Sequence, residues 1–187
     1  MEKQIKQYFD RLSTTISELN IEEISEAVNA IREAYEREAT IYIFGNGGSA
    51  ATASHFVCDF NKGISENLDK KFNLVCLSDN TPIVTAIAND ISYDDIFYFQ
   101  LKNKLKADDL IIAISGSGNS KNVIKAVEYA KEIGTEVVGI TGYSGGKLKE
   151  LSDYYMHVNI DDMQITEDIH MAFDHMMYRV LTDEFSK

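Results

Sequence analysis

The chain has little of several things, and each shortage closes off a class of protein. It contains no tryptophan, and its one proline in 187 residues, Pro82, follows Asp79-Asn80-Thr81, a plausible cap with Pro in the first helical turn. Its two cysteines, Cys58 and Cys76, form no metal-binding or redox spacing and read as reduced, small apolar residues. Positive charge is scarce: 18 Lys and Arg stand against 30 Asp and Glu, a formal net charge of −12. Such a chain repels a phosphate backbone, so no nucleic-acid partner is expected. No apolar run approaches the ~20 residues that span a bilayer, and Met1–Lys6 lead into an amphipathic pattern rather than a signal-peptide core. The expectation is a cytoplasmic protein with no membrane partner. A length of 187 residues with 44% hydrophobic residues suits one α/β domain over residues 1–187.

What is present is concentrated at two junctions. Ile41-Tyr42-Ile43 runs into Phe44-Gly45-Asn46-Gly47-Gly48-Ser49 and restarts as a helical pattern at Ala50. Leu110–Ile114 runs into Ser115-Gly116-Ser117-Gly118-Asn119-Ser120 and restarts at Lys121. Glycines let such turns bring backbone N–H groups close to a ligand, and the helix that follows aims its positive end at the same place. Hydroxyls at Ser49, Ser115, Ser117 and Ser120 favour a phosphorylated ligand over two plain strand-to-helix turns. Neither loop carries Gly-Lys-Ser/Thr, and the first fails the Gly-x-Gly-x-x-Gly spacing, so no nucleotide cofactor is expected. With the general field repulsive, backbone dipoles and hydroxyls must hold the anion locally.

In chain order, residues 5–16 and 21–37 have apolar positions at helical spacing, with Asn20 as a cap for the second. Preceding the first strand, this pair (residues 1–38) cannot be crossovers and is expected outside the core, packed on a neighbour. Strands are then expected at 41–44, 72–77, 109–114, 136–141 and 154–158. Helices are expected at 49–60, from Pro82 to about 88, at 93–105, at 121–133 with a Gly134 cap, and from Asp161 or Asp162 to Phe185. Residues 61–71 read as a polar loop, and Asn89-Asp90 as a helix break. Alternation of this kind predicts an α/β fold, a five-stranded parallel sheet with helices on both faces and two extra N-terminal helices. Ligands bind such sheets outside the carboxyl ends of the strands, where both Gly/Ser loops fall.

Gly45-Asn46-Gly47-Gly48-Ser49 with His55-Phe56, Thr85–Asp90, Ser115–Ser120, Thr141-Gly142-Tyr143-Ser144-Gly145-Gly146 and Ile169-His170 with His175 together resemble the SIS (sugar isomerase) phosphosugar-binding family, in its phosphoheptose isomerase branch. The resemblance spans nearly the whole chain. It implies a flavodoxin-like sheet, a homotetramer, active sites where subunits meet, and a phosphorylated sugar as ligand. It maps the phosphate loop onto Ser115, Gly116, Ser117 and Ser120, with Gly116 standing where a threonine is common. It maps sugar contacts onto Asn46, Gly47, Gly48 and Ser49, and a pocket-lining residue onto Asp90. The arginine that the family often carries near Gly63 is missing.

The family's chemical groups are a histidine and a glutamate four residues apart, and a glutamine and a histidine eight apart; here these positions are His55, Asp59, Glu167 and His175. Some members bind zinc through them, and all four residues present are competent ligands. Glu167 and His175 are about 80° out of phase on a helix, whereas Asp168 aligns better with His175. His170 and Asp174 read as an ordinary hydrogen-bonded pair. An aldose–ketose isomerisation through an enediol needs a carboxylate base and an acid that serves the sugar oxygens. Asp59 would be the base, His175 the acid, Glu167 a substrate contact and His55 a ligand or orienting group. The implied reaction converts sedoheptulose 7-phosphate to a manno-heptose 7-phosphate. The alternatives are a non-catalytic SIS adaptor of the replication-initiator-associating type and a sugar-phosphate sensor without turnover.

Overall fold

The structure, a computed structural model, describes residues 1–186. Five strands, β1 (Ile41–Gly45), β2 (Leu74–Cys76), β3 (Leu110–Ser115), β4 (Glu136–Thr141) and β5 (Tyr154–His157), pair in parallel in the order β2-β1-β3-β4-β5. β3 lies at the centre with all six residues buried, which is why its sequence is an unbroken apolar run rather than an alternation.

One face of the sheet carries α2 (Ile21–Glu36), α3 (Gly48–Cys58) and α8 (Met163–Phe185); the other carries α4 (Thr81–Asp90), α5 (Tyr98–Leu101), α6 (Lys121–Ile133) and α7 (Gly146–Leu151). The expectation that both leading helices lie outside the core fails for α2. Its Ile24, Ala27, Ile31 and Ala34 are buried in the same core as β1, β3 and β4. The reason is coverage: α3 packs over β1 and β2, α8 over β4, and α2 is what remains to cover β5. α1 (Glu2–Ser17) does stay outside. Only Thr15 is buried on it, while Ile5, Phe9 and Ile16 are exposed. It is tied to α8 by the Tyr8 hydroxyl donating to Asp168 (2.5 Å) and by Arg11 pairing with Asp162 (2.6 Å).

Three local expectations also change. Residues 61–71 are not simply a loop. A π-helical turn (Asp59–Gly63) continues α3 and passes into a 3-10 turn (Ile64–Asn67), held by the Asn61 side chain, which bonds both backbone groups of Leu74. Residues 93–105 split into a 3-10 turn (Tyr93–Asp95) and the single turn of α5. α4 runs through Asn89 to Asp90 rather than breaking before them. The Gly134 cap is left-handed (φ 86°), as its position after α6 requires.

Candidate active site

The chain leaves β1 to form β2 on one side and then crosses to β3 on the other, so the strand order reverses between β1 and β3. That switch point is where doubly wound sheets open a crevice, and the two Gly/Ser loops border it. A pocket of about 130 Å³ is lined by Asn46 and Ser49 from the first loop, Ser115, Gly116, Ser117 and Ser120 from the second, and Met163 and Glu167 from the start of α8.

The second loop is shaped for an anion. The Ser115 and Ser120 hydroxyls lie 3.2 Å apart, and Ser120 is the N-cap of α6 without spending its side chain on a cap bond. The turn is possible only because of Gly118, which has φ +66° and would place a Cβ 1.9 Å from the Gly145 carbonyl oxygen. A Cβ on Gly116 would lie 3.1 Å from the Met163 sulfur. The absence of a larger residue there therefore goes with α8's approach to the loop.

The first loop is held by groups that sequence reasoning missed. Asn46 exchanges amide hydrogen bonds with buried Asn122 (2.9 Å each), and the Tyr93 hydroxyl donates to Asn46 Oδ1 (2.9 Å). Asn122 follows Ser120 by two positions, so the two loops are locked together by a residue in the first turn of α6. Gly47 and Gly48 are exposed at the start of α3. Asp90 is exposed at the end of α4, accepts from the Asn89 amide and does not line the pocket in the single chain.

Glu167 occupies the far wall. A Cβ on Gly48 would lie 2.9 Å from its Oε2, so the carboxylate sits at the first turn of α3, whose N-cap Gly47 offers no side chain. A helix N-terminus favours that negative charge, but the charge also opposes a phosphate on the serines. Glu167→Gln is expected to raise affinity for inorganic phosphate by about 3- to 10-fold, a repulsion of roughly 1 kcal/mol removed at this range. Isothermal titration at low salt reads this out; unchanged or weaker binding would place the anion elsewhere.

A second group of side chains lies farther along the same two helices. α3 and α8 run side by side in step: Gly48 faces Glu167, and seven residues on in each (48 to 55, 167 to 174) His55 faces Asp174. His55 Nε2 is 3.3 Å from His175 Nε2, 3.7 Å from Asp59 Oδ2 and 3.8 Å from Asp174 Oδ2. Ligand atoms of all four residues lie within 4.8 Å of one another. The two imidazoles are exposed, Asp59 is half-buried, and Asp174 is fully buried with neither carboxylate oxygen bonded. Burial, and then the neighbouring Asp59 charge, push the Asp174 carboxyl up to about 7.

This grouping differs from the ligand set that the resemblance implies. His55, Asp59 and His175 come together, but Glu167 does not join them, because seven residues of α8 carry it about 10 Å away. Asp168 is likewise absent, its carboxylate being engaged by Tyr8. Nor do His170 and Asp174 pair. His170 is buried with both ring nitrogens short of a formed hydrogen bond, the Thr141 main chain being its favourable polar neighbour. Asp174 was findable. Along α8 an apolar row, Ile165, Ile169, Phe173, Met177 and Leu181, is shadowed one residue later by Thr166, His170, Asp174, Tyr178 and Thr182. Four of those five carry buried polar atoms without a bond. A polar row at core spacing, beside the apolar one, marks groups kept inside for a purpose other than packing.

The donor set suits a metal. Two imidazoles and two carboxylates match the nitrogen and oxygen ligands of zinc, and the unbonded Asp174 carboxylate is what a cation would satisfy. His170 yields a separate expectation. Burial holds its imidazole down to about 4, so its neutral form belongs to the folded state. That stability is complete above the ordinary value near 6.5 and is lost as pH falls through about 4, roughly 3 kcal/mol in all. Denaturant unfolding should therefore show the wild-type protein losing stability relative to His170→Gln between pH 6.5 and 4. Parallel curves would mean that His170 is protonated without cost.

Comparison with known proteins places the whole chain. The chain matches the family described as SIS domain over residues 5–142. It is 37% identical over 180 residues to the probable phosphoheptose isomerase of Thermoplasma acidophilum, covering 96% of this chain and 98% of that one. It is 34% identical over 186 residues to the phosphoheptose isomerase of Helicobacter pylori strain P12, covering 100% and 96%. Among solved structures, phosphoheptose isomerase GmhA from Neisseria gonorrhoeae superposes with a TM-score of 0.88 at 28% identity, covering 96% of this chain and 97% of the other.

Proposed function

The chain belongs to the SIS domain family, and from that membership we propose that it is a phosphosugar aldose–ketose isomerase acting on sedoheptulose 7-phosphate. The observation that carries the reading is the spacing of two sites along one pair of helices. The serine loop and Glu167 make an anion pocket at the start of α3 and α8, and the His55, Asp59 and His175 group lies about 10 Å farther along. An extended chain advances ~1.2 Å per bond. From phosphorus to the first carbon, a seven-carbon phosphate therefore spans about 10 Å, and a five-carbon one about 7 Å. With its phosphate on the serines, the heptulose reaches the carboxylate and imidazoles with its carbonyl end.

There Asp59 takes the proton from the carbon next to the carbonyl and returns it to the neighbouring carbon, while His175 Nε2 moves the proton between the two oxygens. Asn46, fixed by Asn122 and Tyr93, orients the sugar hydroxyls. Zinc would be held by His55, Asp59 and His175; bound there it would occupy the His175 Nε2 lone pair, and its Lewis-acid polarisation of the carbonyl would stand in for that proton relay, with the second Asp59 oxygen left as the base. A scaffold or a sensor has no use for a carboxylate and two imidazoles gathered one phosphosugar length from an anion pocket.

We also place the working enzyme in the cytoplasm as a homotetramer. α1, α2 and α8 border an apolar groove of about 470 Å³ that includes Ile16, Ile21 and Val180, all exposed in the single chain. Light scattering should give four chains per particle. The deciding experiment is turnover on five-, six- and seven-carbon ketose phosphates, with and without added zinc. Seven-carbon substrate should be preferred. Binding without turnover on any of them would support the sensor instead, and neither binding nor turnover the adaptor.

A further inference from the structure

Asp174 is the one member of the cluster that the isomerase reading leaves without a task. It comes from the polar row of α8, one residue before His175, and its side chain is fully buried, yet both oxygens are unbonded. A buried carboxylate is kept in proteins when a cation or donors satisfy it. No Lys or Arg pairs with it among the described residues; the ionic neighbour is His55, at 3.8 Å, and Asp59 adds a second negative group. His55 Nε2 and His175 Nε2 face each other at 3.3 Å, about the separation of two nitrogens on one tetrahedral zinc with bonds near 2.0 Å.

We infer that Asp174, not Glu167, is the fourth protein ligand of a zinc-class divalent ion bridging α3 and α8 with His55, Asp59 and His175. The inference deepens the zinc part of the function proposed above and rests on it only there. Two ligands come from each helix: His55 and Asp59 across the turn where α3 passes into the π-helical segment, Asp174 and His175 in sequence on α8. Such an ion fastens the two helices about 10 Å beyond the phosphate pocket. Glu167 stays free to act at that pocket, over Gly48. The exposed edges of the two imidazoles leave the ion approachable from the substrate side, while Asp174 closes it from the core.

The test is zinc binding by the full-length, chelator-stripped protein, read by competition against a fluorescent chelator and by the shift in melting temperature on adding zinc. Wild type should bind one ion per chain and melt higher with zinc. Asp174→Asn should bind about 100-fold more weakly, at the upper end of what even outer-shell changes cost. Its melting temperature without metal should not fall, because the change removes an unpaired buried charge. Glu167→Gln should bind zinc as wild type does. Zinc affinity unchanged in Asp174→Asn, or lost in Glu167→Gln, overturns the inference, as does a wild-type protein that takes up no zinc. The two readings fail separately. Turnover without zinc uptake removes the ion and leaves the isomerase, whereas Asp174-dependent uptake without turnover leaves the metal site and removes the isomerase.

Discussion

His175→Gln is expected to lower turnover on sedoheptulose 7-phosphate by about 1,000-fold, within the range that one general acid contributes, while phosphate binding stays within about twofold of wild type. The asymmetry follows from the layout of α8. His175 is eight residues beyond Glu167, about 12 Å along the axis, so the serine loop never meets it. Its ring is exposed and held against His55, and the core beneath belongs to Phe173, Asp174 and Met177. Losing the imidazole therefore removes the proton relay of the metal-free site, or a ligand when metal is bound, without disturbing the fold. Initial rates with and without chelator, beside phosphate titration on the same preparations, give the result. More than a tenth of wild-type turnover in the variant would take His175 out of the chemistry. A parallel fall in phosphate affinity would mean that the two sites are not independent.

The sheet and its loops could be read from the chain because they follow local rules. Apolar runs ending in Gly/Ser clusters are strands ending at a crevice, and Asn20, Asn80 and Asp162 cap helices where their side chains can accept the first free N–H groups. What stayed hidden depends on register between segments distant in sequence. α2 has the same amphipathic look as α1, and only the width of a five-stranded face decides that one is core and the other is not. Helical phase set Glu167 apart from His175 and pointed to Asp168, which lies outside the cluster, and it could not say that α3 runs in step with α8. That pairing sets Glu167 against Gly48 and Asp174 against His55. The π-helical turn at Asp59 was invisible for the same reason, since it is stabilised by Asn61 bonding to β2.

That turn reverses the expectation one would form for Asp59 from its side chain alone. An aspartate where the family resemblance implies a glutamate suggests a base held short of its substrate, to be improved by lengthening it. In the structure the backbone there is not regular α-helix. Asp59 begins the π-helical segment, a feature that recurs at functional sites, and its carboxylate stands within 3.7 Å of His55 and inside the four-residue cluster. A longer side chain would overshoot, pressing a second negative group on Asp174 or swinging out past His55. A displacement of about 1 Å can cost around 100-fold in rate. Asp59→Glu is therefore expected to lower kcat/KM by about 10- to 100-fold, and Asp59→Asn, which removes the base, by about 1,000-fold. Kinetics of the three proteins on sedoheptulose 7-phosphate decide it. The ordering aspartate, then glutamate, then asparagine supports a site rebuilt around the shorter acid. A gain of activity in Asp59→Glu would show instead that the backbone has not compensated, and equal rates in all three would remove Asp59 from the proton transfer altogether.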